Sequence, residues 1–310
     1  RDVINGKSVL GEQKEIQEVK MLKKGITYIH EHMFIDLSKV KNTDDTCFDD
    51  KEGLIEELKD LKRKGVENII EVTNIGMGRN MEYMEEVRKA ANINFIYSTG
   101  FYIEPFFPDF VFQKTDKELS KIMINEIKNG IGNTGIKPEV IGEIGSSEGI
   151  ITETENKVFR AAAIAHEETG KVLSTHTSLG TMGLEQIKIM KNYNVNFGKV
   201  IIGHTDLSDD MDYTLRLLDH GVNIAFDTIG KNSYFPDEKR VLAIKELIKR
   251  GYGDKITLSM DITRKSHLKK NGGLGYSHLL DTFVPMMKES GITEHEIENL
   301  LINNPEKIFS

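Results

Sequence analysis

The sequence contains a single cysteine, Cys47, so its 310 residues hold no cysteine pair for an internal disulfide. This lack is typical of proteins from a reducing compartment, and we therefore expect a cytoplasmic protein. A run of about 18 apolar residues, the length that a membrane-spanning helix needs, is also missing. Residues 1–20 lack the apolar core of a signal peptide. These absences argue against a disulfide-stabilised secreted domain and against a membrane partner.

Positive charge does not predominate either. The chain has 41 Lys and Arg residues against 49 Asp and Glu residues, a net charge of −8 with neutral histidines. Recognition of a nucleic-acid backbone requires a basic surface, so we predict no nucleic-acid partner. A small anionic substrate is compatible with this net negative charge, because a single arginine or lysine in the binding site can bind it. The G-x-G-x-x-G fingerprint does not follow the first predicted strand, which disfavours a dinucleotide-binding fold.

The first twenty residues differ in character from the rest of the chain. They are polar and rich in Lys, Glu and Gln, and a strand-like run begins only after Met21. We predict that residues 1–20 are an N-terminal extension, either added to the natural chain or a native surface arm. No linker or shift of composition divides the remainder, so residues 21–310 are predicted to form one domain.

Apolar runs that end in a polar residue alternate with amphipathic stretches along this domain. The stretches 51–64, 155–169 and 213–220 are each followed by a glycine, the usual helix stop. Two further helices are predicted near 277–290 and 294–301. Eight strand–helix units predict parallel pairing and favour a closed (β/α)8 TIM barrel over an open sheet. The predicted strands are 26–32, 68–73, 94–99, 140–143, 172–176, 200–204, 223–227 and 256–261.

Potential metal ligands occur at the carboxyl ends of five of these strands, the end that forms the active-site face of such barrels. Alternate residues of a strand point the same way, so the two histidines of His30-Glu31-His32 converge while Glu31 faces away. One catalytic zinc needs fewer ligands than are present, because one position must hold water. We therefore predict two divalent cations, most consistent with Zn²⁺, with Mn²⁺ and Co²⁺ as alternatives. The predicted ligands are His30, His32, Glu143, His176, His204 and Asp261.

The sequence G-I-T-Y-I-H-E-H-M-F-I-D at 25–36 resembles the entry motif of the phosphotriesterase family of the amidohydrolase superfamily. Further matching stretches include V-I-G-E-I-G-S-S-E-G at 140–149, S-T-H-T-S at 174–178, G-H-T-D at 203–206 and S-M-D-I-T-R-K-S-H at 259–267. The similarity is closest to the phosphotriesterase homology protein subgroup. It implies one metal on His30, His32 and Asp261, a second on His176 and His204, and a bridge at residue 143, which agrees with the assignment from the residues. It also implies a homodimer.

One departure concerns the bridge. Phosphotriesterases that this chain resembles use a carboxylated lysine there, whereas this chain has Glu143. We therefore do not extend organophosphate hydrolysis from those phosphotriesterases to this chain. The resemblance implies a metal-dependent hydrolase in which a metal-bridging hydroxide attacks a lactone or ester carbonyl, with phosphorylated sugar lactones among the substrates. An amide or phosphoester hydrolase with the same centre is the alternative, as is a catalytically idle metal-binding barrel. The retained Asp261 disfavours the idle barrel.

Asp261 is predicted to be the catalytic residue that orients the hydroxide and accepts its proton. The loops after the strands should line the pocket of a small-molecule substrate. Cations in these loops suit an anionic group, and ordinary solvated loop charges are the alternative. The predicted substrate-binding residues are Tyr102, Lys231, Tyr234, Arg264, Lys265 and His267. Asp36 and Asp206, just past strand ends, are candidates for orienting the histidines.

Overall fold

The computed structural model describes residues 21–310, and the predicted extension at 1–20 lies outside the described residues. Eight parallel strands follow one another around a barrel in chain order, each paired with the next. The last strand returns to the first, and the His30 N–H donates to Ser259 Oγ at 3.1 Å where the barrel nearly closes. The predicted (β/α)8 architecture is therefore confirmed. The strands are β1 Ile26–Glu31, β2 Val66–Glu71, β3 Asn94–Thr99, β4 Val140–Ser146, β5 Val172–Thr177, β6 Val200–Ile202, β7 Asn223–Phe226 and β8 Ile256–Leu258.

Helices form an outer layer around the strands. A short antiparallel pair, Ile35–Asp36 with Cys47–Phe48, follows β1. Short π-helical segments at Leu279–Phe283 and Asn299–Asn303 precede the α-helices Val284–Glu289 and Asn304–Ile308. Within residues 21–310, no helix has the length and apolar character needed to cross a membrane. The α-helices are Ser38–Lys41, Lys51–Arg63, Met81–Ala91, Asp109–Gln113, Asp116–Asn129, Glu153–Thr169, Gly183–Met190, Met211–Leu218, Asp237–Lys249, Val284–Glu289, Glu294–Glu298 and Asn304–Ile308.

The helix Lys51–Arg63 illustrates how the layer packs. Leu54, Leu58 and Leu61 recur at helical spacing on one face, and all three are fully buried. Burial of each such side chain contributes roughly 1.5–3 kcal/mol. The side chain of Asp50 accepts the N–H of Gly53 and so begins the helix. The core between helices and strands thus holds each strand in register and fixes where its carboxyl end lies.

The predicted strands at 200–204 and 256–261 extend too far. Strand β6 ends at Ile202 rather than at residue 204, and β8 ends at Leu258 rather than at residue 261. The physical reason is that His204 (φ 57°) and Asp261 (φ 52°) adopt left-handed backbone conformations, which end an extended strand. Such conformations cost on the order of 1–3 kcal/mol for a residue other than glycine, and they concentrate at functional sites. Both side chains are thereby turned towards the barrel axis.

Candidate metal centre

The six side chains predicted as ligands come together at the carboxyl rim of the barrel. The carboxylate of Glu143 lies among the histidines: its Oε2 is 3.3 Å from both His30 Nε2 and His176 Nδ1, and 3.8 Å from His204 Nε2. The other oxygen, Oε1, is 3.3 Å from His32 Nε2. Asp261 Oδ1 is 3.2 Å from His32 Nε2. Residues far apart in the sequence thus form one compact cluster.

The polar atoms of this cluster fit divalent cations. His30 Nε2, Glu143 Oε2 and His176 Nδ1 are buried and, within the described chain, have no hydrogen-bond partner. Buried polar atoms are rarely left unpaired, so the convergence of these three fits a site that binds a cation. Two sets of three residues have ligand atoms within 4.8 Å of one another, and they share Glu143. These sets are His30, His32, Glu143 and Glu143, His176, His204. Imidazole and carboxylate together suit zinc and its neighbours.

Opposite charges face one another in the cluster. Burial raises the pKa of Glu143, but the charge of His30 and the close polar contacts with the histidines outweigh it and hold the pKa well below its usual value. Burial lowers the pKa of His32, but hydrogen bonds to Asp261 and Glu143 outweigh it and raise the pKa to about 10. These opposite shifts show that the negative charge of Glu143 is balanced by the imidazoles, a balance that a bound cation would alter.

Asp227 contacts two of the histidines from behind. Its Oδ1 lies 2.8 Å from His204 Nδ1 and accepts the His204 N–H, and its Oδ2 lies 3.3 Å from His30 Nδ1. A third set of possible metal ligands, His30, His204 and Asp227, arises from these contacts. We interpret Asp227 as a group that orients the two imidazoles, because it contacts their Nδ1 atoms and leaves both Nε2 atoms to face Glu143. The sequence pattern predicts Asp227 only as the end of a strand.

Replacing Asp227 with asparagine should weaken metal binding about 10- to 100-fold, because an amide cannot accept hydrogen bonds from both imidazoles. Both metal positions should be affected, since His30 and His204 belong to different sets. Competition with a chelator measures the affinity. Asp36→Asn is the matched control, because Asp36 accepts hydrogen bonds from Ser38. Equal affinities of the two variants would contradict the orienting role.

Glu31 faces away from the cluster, as the alternation along β1 predicts. Its carboxylate accepts hydrogen bonds from Ser259 Oγ and Met260 N, both at 2.7 Å, and from Ile262 N at 3.0 Å. It therefore fixes the backbone on both sides of Asp261 and ties β1 to the end of β8. The central residue of the His-Glu-His motif thus positions a ligand that lies 230 residues away in the sequence.

The two aspartates predicted to orient histidines lie elsewhere. Asp36 accepts hydrogen bonds from Ser38 after β1. Asp206 is buried and forms an ion pair with Arg240, with 2.7 Å between Oδ2 and Nε. The orienting carboxylate is Asp227 instead, because Asp206 bonds Thr228 and Arg240 whereas Asp227 contacts His204.

A cavity of about 760 Å³ opens over the cluster. Five of the six residues predicted to bind substrate line it: Tyr102, Lys231, Tyr234, Arg264 and His267. Lys265 differs from the expectation, because its Nζ forms an ion pair with Asp49 at 2.7 Å rather than facing the cavity. Lys41 also lines the cavity. This lysine was not among the predicted substrate-binding residues, although its place in the segment after the first strand was an available signal.

The polar residues of the cavity differ in their chemistry. Lys231 Nζ donates to Asp261 Oδ2. Burial and the charge of Lys231 lower the pKa of His267 to about 4, so this ring is neutral near pH 7. Tyr102 is buried, with its hydroxyl 3.4 Å from His176 Nε2. Cations therefore reach the cavity from the loops after β1, β7 and β8, through Lys41, Lys231 and Arg264.

Comparison with known proteins identifies relatives over nearly the whole chain. A model of the phosphotriesterase family matches residues 13–309. The phosphotriesterase homology protein of Escherichia coli (strain K12) is 47% identical over 285 residues, 92% of this chain and 98% of that protein. An N-acetyltaurine hydrolase of Dictyostelium discoideum is 34% identical, covering 92% of this chain and 80% of that protein. The aryldialkylphosphatase of Saccharolobus solfataricus is 33% identical, covering 92% and 95%.

Solved structures agree with these relatives. The crystal structure of the Escherichia coli phosphotriesterase homology protein, complexed with phosphate in its active site, superposes with a TM-score of 0.91. It is 46% identical and covers 93% of this chain and 99% of that chain. A lactonase from Listeria monocytogenes gives a TM-score of 0.87 at 29% identity, covering 94% and 96%. The predicted hydrolase class is confirmed by these relatives, and the chain belongs to the phosphotriesterase family.

Proposed function

We propose that this protein is a binuclear zinc-dependent hydrolase that opens a lactone or cleaves a related ester. The observation that carries the proposal is the position of the Glu143 carboxylate between two pairs of histidines. Its Oε1 is 3.3 Å from His32 Nε2, and its Oε2 is 3.3 Å from His176 Nδ1. Oε2 also lies 3.3 Å from His30 Nε2, so the carboxylate contacts histidines of both pairs. A carboxylate in this position suits a bridge between two cations.

His30, His32 and Asp261 would hold one cation, His176 and His204 the other, and Glu143 both. When bound, the two cations supply a Lewis acid for the substrate carbonyl and a hydroxide at neutral pH. Asp261 directs Oδ1 to the histidines and Oδ2 to Lys231 at the cavity. From there its carboxylate accepts the proton of the nucleophile and returns it to the leaving oxygen.

An anionic substrate is the finer part of the proposal. Three cationic side chains from three loops line the cavity, in a protein whose net charge is −8. A cation also steers an anionic substrate into such a cleft. A phosphorylated sugar lactone combines the anion with the carbonyl that the proposed chemistry needs. The Escherichia coli relative was crystallised with phosphate in its own active site, which supports this choice.

Replacing Arg264 with methionine should raise KM for a phosphorylated lactone about 10- to 100-fold, the loss expected for one hydrogen bond to a charged group. The value of kcat should change little, and KM for a neutral lactone should stay the same. Steady-state kinetics measure both. Lys265→Met is the matched control, because Lys265 pairs with Asp49 outside the cavity. An unchanged KM in Arg264→Met would remove Arg264 from the binding site.

A substrate panel tests the reaction itself. It should contain lactones, phosphorylated lactones, carboxylic esters, N-acyl amides and phosphotriesters, assayed with the zinc-loaded protein. Lactone turnover above all other classes is expected. Turnover of N-acyl amides alone would favour the second candidate, an amide hydrolase, which the N-acetyltaurine hydrolase relative suggests. No turnover with both cations bound would favour the catalytically idle barrel.

A cytoplasmic location and a homodimer remain part of this proposal. The location rests on Cys47, which forms no disulfide within the chain. The homodimer rests on the resemblance to the family. Sedimentation equilibrium measures the mass of the assembly directly, and a monomer at micromolar concentration would remove the homodimer from the proposal.

A further inference from the structure

We propose that Asp45 is a positioning residue that holds Arg264 at the cavity wall and thereby sets the preference for an anionic substrate. The inference rests on the proposed function, because it takes Arg264 to be a residue that binds the anion. Asp45 lies outside the stretches that match the family motifs, in the segment between β1 and the helix Lys51–Arg63. Its carboxylate does not line the cavity. A group without access to the substrate would thus decide which substrate the cavity selects.

The carboxylate of Asp45 bonds the turn that begins directly after Arg264. Its Oδ1 accepts the backbone N–H of Ser266 at 2.8 Å, and its Oδ2 accepts the Ser266 hydroxyl at 2.7 Å. Ser266 lies in the short 3₁₀ turn Lys265–His267, which is closed by the His267 N–H donating to the Arg264 carbonyl at 3.1 Å. Asp45 therefore fixes the backbone from which the Arg264 side chain extends.

The guanidinium of Arg264 also contacts Asp45 directly. Its Nη1 lies 3.5 Å from Asp45 Oδ2, and its Nε and Nη2 donate no hydrogen bond to any of residues 21–310. A guanidinium carries five N–H donors in a planar fork. A pair that used two of its nitrogens would occupy an edge that could otherwise bind a phosphate or carboxylate. The single contact restrains the group and leaves its other N–H donors for a substrate.

The segment that carries Asp45 is held close to the metal-binding end of β1. The two-residue strand Cys47–Phe48 pairs with Ile35–Asp36, which begins three residues beyond the predicted ligand His32. Thr46, between Asp45 and this strand, is buried. The position of Asp45 is therefore set by the same part of the chain that sets the position of His32. Through Asp45, the guanidinium is placed relative to the metal centre and not only within its own loop.

Two further aspartates of the same segment pair with the loop after β8. Asp49 Oδ1 lies 2.7 Å from Lys265 Nζ, and Asp50 Oδ2 lies 2.6 Å from Lys270 Nζ. Neither lysine lines the cavity. Of these three aspartates, Asp45 is the one that contacts a cation of the cavity wall. The neighbouring pairs join the same two loops and provide natural controls.

The negative charge of Asp45 and its hold on Arg264 act on an anionic substrate in opposite senses. Burial raises the pKa of Asp45, but hydrogen bonds from Ser266 and the charge of Arg264 outweigh it and lower the pKa below its usual value. The carboxylate is therefore ionised near neutral pH and repels an anion in the cavity. Loss of this repulsion alone would strengthen binding of the anion, whereas loss of the position of Arg264 would weaken it. The sign of the change separates the two effects.

Steady-state kinetics of Asp45→Asn with a phosphorylated lactone and its neutral analogue test the proposal. An asparagine side chain has one acceptor oxygen, so it cannot bond Ser266 and Arg264 through two oxygens. The ratio of kcat/KM for the phosphorylated lactone to kcat/KM for the neutral one should fall about 3- to 30-fold, within the range for coupled contacts. A general loosening of the loops would lower both values and leave the ratio. Asp49→Asn is the matched control and should keep the wild-type ratio, because its partner Lys265 lies outside the cavity.

A double-mutant cycle shows whether Asp45 acts through Arg264. In the Arg264→Met background, Asp45→Asn should lower the ratio no further. An equal further loss in that background would overturn the proposal, as would an unchanged or increased ratio in the single variant Asp45→Asn. If Arg264→Met itself left the ratio unchanged, the anionic part of the proposed function would fail together with this inference. A lower ratio in Arg264→Met but not in Asp45→Asn would overturn the inference alone.

A second measurement needs no substrate. Crystal structures of the wild type, Asp45→Asn and Asp49→Asn give the position of the Arg264 guanidinium relative to the barrel. We expect it to be displaced or disordered in Asp45→Asn and to stay in place in Asp49→Asn. A guanidinium that kept its wild-type position in Asp45→Asn would overturn the proposal, even if no lactone were hydrolysed and the proposed function had failed.

Discussion

Replacing Asp261 with asparagine is expected to lower kcat about 10²- to 10⁴-fold, the usual contribution of a positioned general acid–base group. The protein should retain most of its metal, because an asparagine oxygen can replace Oδ1 as a ligand. An amide cannot accept the proton of the nucleophile, and this loss reduces turnover. Parallel measurements of kcat and of metal content by mass spectrometry separate the two effects.

The local structure makes this substitution a clean test. Glu31 holds the backbone at residues 260–262 through hydrogen bonds that do not involve the Asp261 side chain. The left-handed conformation of Asp261 is also one that asparagine tolerates. Asp254→Asn, on an exposed ion pair with Lys307, controls for a general effect of lost charge. Full activity in Asp261→Asn would refute the catalytic role.

Replacing Arg240 with leucine is expected to lower the free energy of unfolding by about 3–5 kcal/mol, the cost of breaking a buried ion pair by removing one partner. Arg240 is fully buried, with Nε 2.7 Å from Asp206 Oδ2 and Nη1 2.9 Å from Asp237 Oδ1. Its Nη2 donates to Thr228 Oγ1 at 2.7 Å. Without the guanidinium, Asp206 would stay buried without its cationic partner, and Asp237 would keep only its contact with His278.

The exposed ion pair of Arg250 provides a control for the loss of stability expected in Arg240→Leu. Arg250 pairs with Glu246 at 2.7 Å one helical turn away, with both side chains largely in solvent. Exposed pairs contribute about 0–1 kcal/mol, so Arg250→Leu should change stability little. Urea unfolding of the two variants gives both free energies. Equal losses would show that Arg240 acts through packing alone, and not through its charge.

The buried Arg240 network also supports the cavity wall. Asp237 Oδ1 accepts the N–H of Gly230 at 3.0 Å, and Asp237 Oδ2 lies 2.8 Å from His278 Nε2. These bonds join the loop that carries Lys231 to the loop that follows β8. A folded Arg240→Leu protein should therefore bind substrate more weakly as well as unfold more easily.

Much of the centre could be predicted from sequence, because strand ends converge in a barrel. The residue types at those ends were sufficient to name all six candidate ligands without coordinates. The partner behind two of them could not be predicted, because the contacts of Asp227 with His30 and His204 depend on distances in the folded chain. The prediction that Lys265 binds substrate was wrong, because this lysine forms an ion pair with Asp49 and does not line the cavity as its neighbour Arg264 does. The position of a residue in the sequence thus predicted which end of the barrel its side chain lies at, but not which neighbouring side chain it bonds.

The measurement that tests the account most directly is a crystal structure of the zinc-loaded protein with anomalous data at the zinc edge. The account predicts two anomalous peaks per chain. One should lie between His30, His32 and Asp261, the other between His176 and His204, each within bonding distance of one Glu143 oxygen. A single peak, or a Glu143 carboxylate bonded to neither ion, would contradict it.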